Sequence, residues 1–183
     1  MVTYGGLTSE DYYYQQTDVW KHPLLSQFVP PDQLQARSVR RVMAPEADYR
    51  DDDAAAVALE LTEQGVIVNT GAHGQREGLA THWELWSFVR GGFSPAEALK
   101  LATINPARYL GMANDLGSLE PGKLADLLIL KANPLEDIHN TDEIADIVIN
   151  GRLFDAGTLS ERITGNRLAP AFWWQDRDYL KIR

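Results

Sequence analysis

Residues 94–134 decide the fold; they read SPAEALKLATINPARYLGMANDLGSLEPGKLADLLILKANP. The stretch opens on a helix start signal, because Ser94 can cap a helix and Pro95 suits its first position. Glu97 lies three residues after the cap, which completes a capping box. Ala98, Leu99, Leu101 and Ala102 then supply one apolar face, so we predict a short amphipathic helix.

The second half of this stretch predicts a helix, a turn and a strand. Asn105-Pro106 repeats the start signal for a second, shorter helix, and Gly111 suits its left-handed stop. Residues 117–123 (GSLEPGK) are rich in turn formers, and the apolar run 127–130 has the length of a strand.

Helix, helix, exposed turn and strand in this order resemble the close of the metal-dependent amidohydrolases, with imidazolonepropionase- and prolidase-type members the nearest. The resemblance covers about 40 residues and depends on Thr103-Ile104-Asn105-Pro106-Ala107, Leu110-Gly111, Gly117–Lys123 and Ala125-Asp126-Leu127. In that family the two helices finish a (β/α)8 barrel, and the turn and strand enter a small β-sandwich. None of these residues handles substrate there, so other parts of the chain must supply any chemistry.

The resemblance implies an α/β fold that is incomplete as an isolated chain. Residues 1–113 would be the C-terminal segment of the barrel, about strands 7–8 and the following helices. Residues 114–158 would belong to a composite β-sandwich, and residues 159–183 would form a C-terminal tail. Met1–Tyr4 and the apolar run Val66–Val68 are the expected seventh and eighth strands, the latter of the buried parallel kind.

Composition excludes several classes of protein. The chain has 183 residues, 44% of them hydrophobic and 23% charged, which is ordinary for a globular protein. Its net charge of −9 and scattered basic residues argue against nucleic acid as a partner. No apolar run reaches the ~18 residues of a membrane span, and we expect no signal peptide. The absence of cysteine excludes disulfides and thiolate metal sites but leaves the compartment open.

An aromatic stretch near the N-terminus has no readable helix or strand periodicity. It contains Tyr12, Tyr13, Tyr14, Trp20 and His22. Barrel enzymes carry substrate-contacting residues on such loops at the catalytic mouth, so these five are substrate-loop candidates. The alternative is an irregular aromatic segment that only covers the top of the barrel.

Asp51-Asp52-Asp53 precede an apolar pattern at helical spacing, which ends before Gly65. Three acids at a helix N-terminus complement its dipole, which explains them without a metal. Residues 78–89 predict a further helix, and 144–154 predict a hairpin around Asn150-Gly151. In the tail, Phe172-Trp173-Trp174 is either an anchor that packs back on the chain or an interface.

His73 is the catalytic candidate that the resemblance implies. In the family the eighth strand ends in a Gly-Ser/Thr-Asp type of motif, whose aspartate binds metal and takes a proton from the attacking water. Aligned by the glycine, Gly71-Ala72-His73 places a histidine at that position. Imidazole can coordinate a metal or act as a base, but it lacks the negative oxygen ligation of a carboxylate. The alternative is a histidine hydrogen-bonded at a strand end.

His82 is a secondary candidate, in a His82-Trp83-Glu84-Leu85 segment that resembles one in the family's last barrel helix. His82 and Glu84 are two residues apart and so lie on different helix faces, which excludes the i, i+4 arrangement of a metal pair. Packing or capping is the favoured role for His82 over a catalytic one.

The family's binuclear site, as the resemblance implies it, takes a His-x-His pair and further ligands from earlier strands. This chain has four histidines, none of them in a His-x-His pair. A catalytic metal needs three or four converging ligands, so we expect His73 to be at most one ligand, with the others absent. The full-length enzyme would carry a divalent metal (zinc or similar), whereas this chain alone would carry none and be inactive.

We therefore expect a C-terminal fragment of an enzyme that hydrolyses C–N bonds in small amides, cyclic amides or peptides. Its partner would be the missing N-terminal part of the enzyme, or a second copy that closes the open edges. The alternative is a non-catalytic fold remnant or interaction module, which the histidine at position 73 favours.

Overall fold

A computed structural model describes residues 11–36, 38–39, 41–72, 76, 78–164 and 172 of the chain. Seven α-helices precede a small antiparallel sheet in this described part. The helices are α1 (Asp11–Gln16), α2 (Leu25–Phe28), α3 (Pro31–Gln35), α4 (Asp51–Glu63), α5 (Leu79–Arg90), α6 (Pro95–Ala102) and α7 (Ile104–Tyr109). The strands are β1 (Leu127–Leu130), β2 (Ile144–Ile149) and β3 (Arg152–Asp155), with 3-10 helices at Val19–Lys21, Glu46–Asp48 and Ile138–Asp142.

The core is built around α5, which buries most of its length. Trp83 is fully buried, stacks on Tyr13 at 5.5 Å between ring centroids and meets Tyr14 edge-on at 5.0 Å. Such aromatic pairs stabilise a core beyond the area that they bury. The aromatic segment at the N-terminus is therefore part of the hydrophobic core.

The expectation of an irregular loop across the N-terminal aromatics was wrong for its first part. Residues Asp11–Gln16 form α1, which turns Tyr13 and Tyr14 inward. A helix of six residues gives too few repeats for a 3.6-residue pattern to be read from sequence. Trp20 lies in the 3-10 helix Val19–Lys21, and His22 caps the C-terminal end of that helix.

The capping box of α6 is confirmed. Ser94 Oγ accepts the Glu97 N–H at 3.3 Å, and Glu97 Oε2 accepts the Ser94 N–H at 2.9 Å. The next helix begins at Ile104, one residue before the predicted Asn105-Pro106 signal, and Gly111 follows it with a φ of 72°. The local signals of the 94–134 stretch thus place both helices to within a residue.

The sheet has the strand order β1-β2-β3, with both pairs antiparallel. Asn150 and Gly151 have φ of 50° and 73° and join β2 to β3, as a two-residue hairpin turn requires. Asp126 Oδ1 accepts the Asn150 N–H at 2.6 Å, which ties the turn to the residue before β1. The predicted strand at 127–130 and the predicted hairpin are confirmed.

The predicted buried strand at Val66–Val68 is wrong. No strand forms there, and Val66 and Ile67 are 48% and 55% exposed. A parallel strand needs a neighbour in the ladder and cover on both faces. Within the described ranges no strand lies beside this run, so its apolar side chains remain at the surface.

Some predicted features lie outside the described residues, namely the strand at Met1–Tyr4, His73, and the tryptophans of the Phe172-Trp173-Trp174 segment. Phe172 itself packs edge-on against Phe28, with 5.9 Å between ring centroids. None of the described helices combines the length and apolar composition that crossing a membrane would require.

Candidate functional site

The chain that leads toward His73 is fixed by the two helices of the 94–134 stretch. The Thr70 N–H donates to the carbonyl oxygen of Leu101 at 2.9 Å. Asn105 Nδ2 donates to the carbonyl oxygen of Val68 at 3.0 Å. The asparagine of the resemblance motif therefore holds the backbone of residues 66–72, although those residues form no strand.

Glu84 holds the same segment from α5. Glu84 is 1% exposed, and its Oε2 accepts the Gly71 N–H at 2.5 Å. His82 lies on the same helix, two residues before Glu84. Sequence reasoning attached no role to this glutamate, and the His-x-Glu-Leu resemblance was the available signal.

Arg76 is buried on the other side of position 73 in the sequence. Its Nε donates to the Tyr14 hydroxyl at 2.7 Å, and its Nη2 donates to the carbonyl oxygen of Ala36 at 2.9 Å. Nη1 donates to the carbonyl oxygen of Gln33 at 3.3 Å. Tyr14, a substrate-loop candidate, is thus a buried hydrogen-bond partner of this arginine.

His73 itself, the catalytic candidate, lies outside the described residues. The structure describes Ala72 before it and Arg76 after it. Its role as a base or a metal ligand stays a prediction.

The other two histidine candidates, His22 and His82, both feel the charge of Asp142. His22 Nε2 lies 3.5 Å from Asp142 Oδ2, and His22 Nδ1 accepts the Leu25 N–H at 3.3 Å. His82 Nδ1 is buried without a hydrogen-bond partner in the described part of the chain. Burial lowers the pKa of His82, and the negative charge of Asp142 opposes that shift. The surroundings of His82 therefore favour its neutral imidazole over the charged form.

The remaining aromatic candidates make contacts within the fold. The Arg90 guanidinium lies 3.7 Å from the centre of the Tyr12 ring. The Arg41 guanidinium lies 5.4 Å from the centre of the Trp20 ring. The Tyr13 hydroxyl lies 2.9 Å from Ser87 Oγ, and both residues are buried. A substrate contact by Tyr12, Tyr13, Tyr14 or Trp20 stays a prediction.

One of the three acids that open α4 is a buried carboxylate, which the sequence did not indicate. Asp51 is fully buried; its Oδ2 accepts the Ser87 hydroxyl at 2.9 Å and lies 3.1 Å from Arg90 Nη1. Burial raises the pKa of Asp51, and the positive charge of Arg90 opposes that shift. Asp51 thus does more than complement the helix dipole, because it links α4 to α5.

The described residues do not fit a resident metal ion by themselves. Among them, no three His, Asp or Glu side chains come together in an arrangement that could hold one. A catalytic metal needs three protein ligands and an open position. No catalytic step through a metal is therefore assigned to the described part of this chain.

One open depression of about 470 Å³ lies at the turn that follows α7, between Arg108 and residues 120–123. Lys123 Nζ lines it and donates to the carbonyl oxygen of Ala113 at 2.7 Å. Gly117, nearby in the turn, has a φ of 91°, and a side chain there would come within 2.6 Å of Ala107 Cβ. This lysine is used in holding the turn.

Residues 30–154, about two thirds of the chain, match the sequence profile of the amidohydrolase family. The chain belongs to the amidohydrolase family. Over 75 residues it is 43% identical to an imidazolonepropionase of Symbiobacterium thermophilum, covering 39% of this chain and 18% of that protein. Over 93 residues it is 33% identical to a 5-methylthioadenosine/S-adenosylhomocysteine deaminase of Teredinibacter turnerae, covering 44% of this chain and 21% of that protein.

A solved structure of a Xaa-Pro dipeptidase with bound methionine is similar to this amidohydrolase chain with a TM-score of 0.52 and 31% identity. The match covers 58% of this chain and 26% of the dipeptidase. The α/β fold of this chain is thus amidohydrolase-like. The chain spans about a fifth or less of the length of the curated relatives that it matches.

Proposed function

We propose that this chain is the C-terminal part of an amidohydrolase that hydrolyses C–N bonds in a small amide, cyclic amide or peptide. The proposed placement is about strands 7–8 of the barrel with the following helices and part of the sandwich. The attacking water would be activated by a divalent metal whose other ligands come from polypeptide outside residues 1–183. On its own the chain would neither hold the metal nor hydrolyse substrate.

The observation that carries the proposal is the family match, which spans residues 30–154. Members of this family generally bind a divalent metal, and the relatives include an imidazolonepropionase and a 5-methylthioadenosine/S-adenosylhomocysteine deaminase. Fold-level likeness extends to the reaction class and does not select a substrate.

The proposal also assigns a role to the histidine at position 73. The proposed role of His73 is that of the family's eighth-strand aspartate, either as base or as one metal ligand. The partner would be the N-terminal part of the enzyme, with a second copy of the chain as the other possibility.

The test supplies the proposed missing part. The 183-residue chain is co-expressed with the portion of the Symbiobacterium thermophilum imidazolonepropionase that precedes the matched segment, and alone as the control. We expect stoichiometric metal and hydrolysis of the relative's substrate from the pair, and neither from the chain alone. A folded, co-purifying pair without bound metal would contradict the proposal.

A second candidate function is a non-catalytic remnant that serves as an interaction module. The histidine at position 73 favours it, because imidazole cannot replace the charge of the family's carboxylate. The variant His73→Asp separates the two possibilities in the same pair. Metal and hydrolysis in the native pair support the enzyme, whereas recovery only in His73→Asp supports the remnant.

A further inference from the structure

We propose that Asn150 is a deamidation site, and that hydrogen bonds to the two residues before β1 hold its reaction back in the folded chain. In deamidation the Gly151 backbone nitrogen attacks Cγ of the Asn150 side chain. The bond from that nitrogen to Cγ forms, the bond from Cγ to Nδ2 breaks, and ammonia leaves with the proton that the Gly151 nitrogen loses. Water then opens the cyclic imide to aspartate or isoaspartate. This reaction needs neither metal nor substrate, so it stands apart from the proposed function.

The sequence makes position 150 unlike the other asparagines. Asn150 is the only one of the seven asparagines that a glycine follows. Glycine has no side chain to obstruct the close approach of its backbone nitrogen to the neighbouring side chain. Asn105 and Asn133 precede proline, whose nitrogen carries no proton and cannot react in this way. The chemistry therefore selects Asn150.

The two residues that react are open to water. Asn150 and Gly151 are both exposed and form the turn between β2 and β3. Their φ of 50° and 73° place both in the left-handed region that a two-residue hairpin turn requires. Water reaches this turn, so burial gives it no protection.

Two hydrogen bonds supply the protection that burial does not. The Gly151 N–H, which must lose its proton, donates to the carbonyl oxygen of Ala125 at 3.1 Å. The Asn150 N–H donates to Asp126 Oδ1 at 2.6 Å in a charge-assisted bond. A carbonyl oxygen stabilises the protonated Gly151 nitrogen and repels the anion that attack requires. The neighbouring carboxylate of Asp126 disfavours that anion further, because like charges repel.

Reaction at Asn150 therefore requires the turn to separate from residues 125–126. Only then is the Gly151 nitrogen free to lose its proton and approach Cγ. Surface turns open locally at a lower free energy than the whole domain unfolds. The deamidation rate of the folded chain is thus the rate of the unfolded chain multiplied by the fraction of time that the turn is open. The bond to Asp126 lowers that fraction.

Deamidation of Asn150 changes the turn permanently. The aspartate product places a second carboxylate close to that of Asp126, whose Oδ1 lies 2.6 Å from the backbone nitrogen of residue 150. The isoaspartate product inserts an extra backbone carbon into a turn whose flanking residues, Ile149 and Arg152, pair across β2 and β3. Either product weakens the hold of residues 125–126 on the turn and loosens the hairpin.

The experiment follows deamidation in the 183-residue chain at mildly alkaline pH. Trypsin releases residues 132–152 as one peptide, which carries Asn150 together with Asn133 and Asn140 as internal references. Mass spectrometry gives the fraction of amide lost at each position over time. We expect the fastest loss at Asn150, and we expect it to be slower by about tenfold or more in the native chain than in the same chain unfolded in urea.

Asp126→Ala removes the acceptor of the Asn150 N–H. We expect it to speed deamidation of the folded chain by about tenfold, a ratio typical of losing a charge-assisted hydrogen bond, and to leave the rate in urea unchanged. Asp137→Ala is the matched control, because Asp137 Oδ1 accepts the His139 N–H at 2.9 Å at the start of the 3-10 helix Ile138–Asp142. It should leave the Asn150 rate unchanged.

Circular dichroism and hydrogen exchange of the Gly151 amide distinguish local opening from loss of the fold in each variant. Should Asp126→Ala unfold, the native chain in low concentrations of urea provides the second test, since its Asn150 rate should rise in step with Gly151 exchange. A native chain that deamidates at Asn150 as fast as the urea-unfolded chain would overturn the proposal. A folded Asp126→Ala chain with the native rate would do the same.

Discussion

The carboxylate of Asp51 is buried where α4 meets α5, and its hydrogen bonds decide what a change there does. Replacing it with asparagine removes the charge that faces Arg90 at 3.1 Å and weakens the bond from Ser87. Arg90 is partly exposed and also lies 3.7 Å from Glu46, so its charge is not left unpaired. We expect Asp51→Asn to lower the free energy of unfolding by about 1–3 kcal/mol, measured by urea denaturation.

Asp53→Asn is the control from the same run of acids. Asp53 is exposed and pairs with Arg50 at 3.0 Å at the surface, so its loss should cost at most about 1 kcal/mol. Equal losses in the two variants would mean that the helix dipole alone explains all three acids.

The buried His82 predicts a pH dependence of the free energy of unfolding. Burial lowers its pKa in the folded chain, with Asp142 opposing and His22 assisting the shift. The unfolded chain therefore binds a proton at this residue more readily than the folded chain does. Its contribution to stability is full above the unfolded pKa of about 6.5 and is lost as pH falls below that value toward the folded pKa.

The measurement for His82 is urea unfolding at several pH values between 8 and 5. We expect His82→Gln to show a smaller loss of stability over this range than the native chain, by at most about 1.4 kcal/mol per pH unit. His139→Gln is the control, because the His139 ring is exposed and hydrogen-bonded to Asp137. An unchanged pH slope in His82→Gln would contradict the prediction.

Single residues were predictable from sequence only where their role is local. Asn150-Gly151 act through their own backbone, and the Ser94 side chain acts on a backbone N–H three residues away; both behave as predicted. Asp51 and Glu84 act through residues 36 and 13 positions away in the chain. Nothing in their neighbourhood distinguishes a buried carboxylate from a solvated one, so the structure was needed to find them.

Helices and strands, like single residues, were predictable from sequence only where their signals are local. The helices from α4 to α7 and the hairpin carry their own start, stop and turn signals, and each was found. The run Val66–Val68 has the composition of a buried strand, but a strand exists only with a neighbour. The composition of Val66–Val68 therefore predicted a strand, but within the described residues this run has no neighbouring strand to pair with.

The contact between α4 and α5 gives a prediction at this scale. Gly91 follows α5, and a Cβ there would come within 2.3 Å of Ala55 Cβ and 2.7 Å of the Ala56 backbone nitrogen. Because the obstacle includes backbone, it cannot move aside cheaply. We expect Gly91→Ala to lower the free energy of unfolding by about 1–3 kcal/mol, measured by thermal or urea unfolding.

Gly157→Ala serves as the matched control. Among the described residues, a Cβ there meets the carboxylate of Asp155, at 3.3 Å, which can give way. Adding Ala55→Gly to Gly91→Ala should recover part of the loss and not all of it, because the backbone contacts remain. Full recovery would show that only the Cβ of Ala55 stands in the way.

At the scale of the whole molecule, the family membership identifies the kind of fold more specifically than the order of helices and strands does. About 40 residues of ordered motif resembled the close of an amidohydrolase, and the family match over residues 30–154 agrees. The motif residues build α6, α7 and the turn after them, so these elements were the predictable part. The candidate site was less predictable, since Glu84 and Asn105 reach Gly71 and Val68 from distant parts of the chain and His73 lies outside the described residues.

The exposed apolar surface of the described chain makes the last prediction. Leu128 and Ile129 are 49% and 42% exposed on β1, which pairs within the described residues with β2 alone. Val66 and Ile67 form a second exposed apolar site. Unpaired strand edges and exposed apolar patches favour association, so we expect the isolated chain to self-associate with rising concentration in analytical ultracentrifugation.

A lysine at Ile129 should weaken association through the strand edge, and a lysine at Ile67 should weaken association through the other site. The exposed Ile163→Lys exchange is the control for added charge, and a native chain that stays monomeric across the concentration range would contradict the prediction.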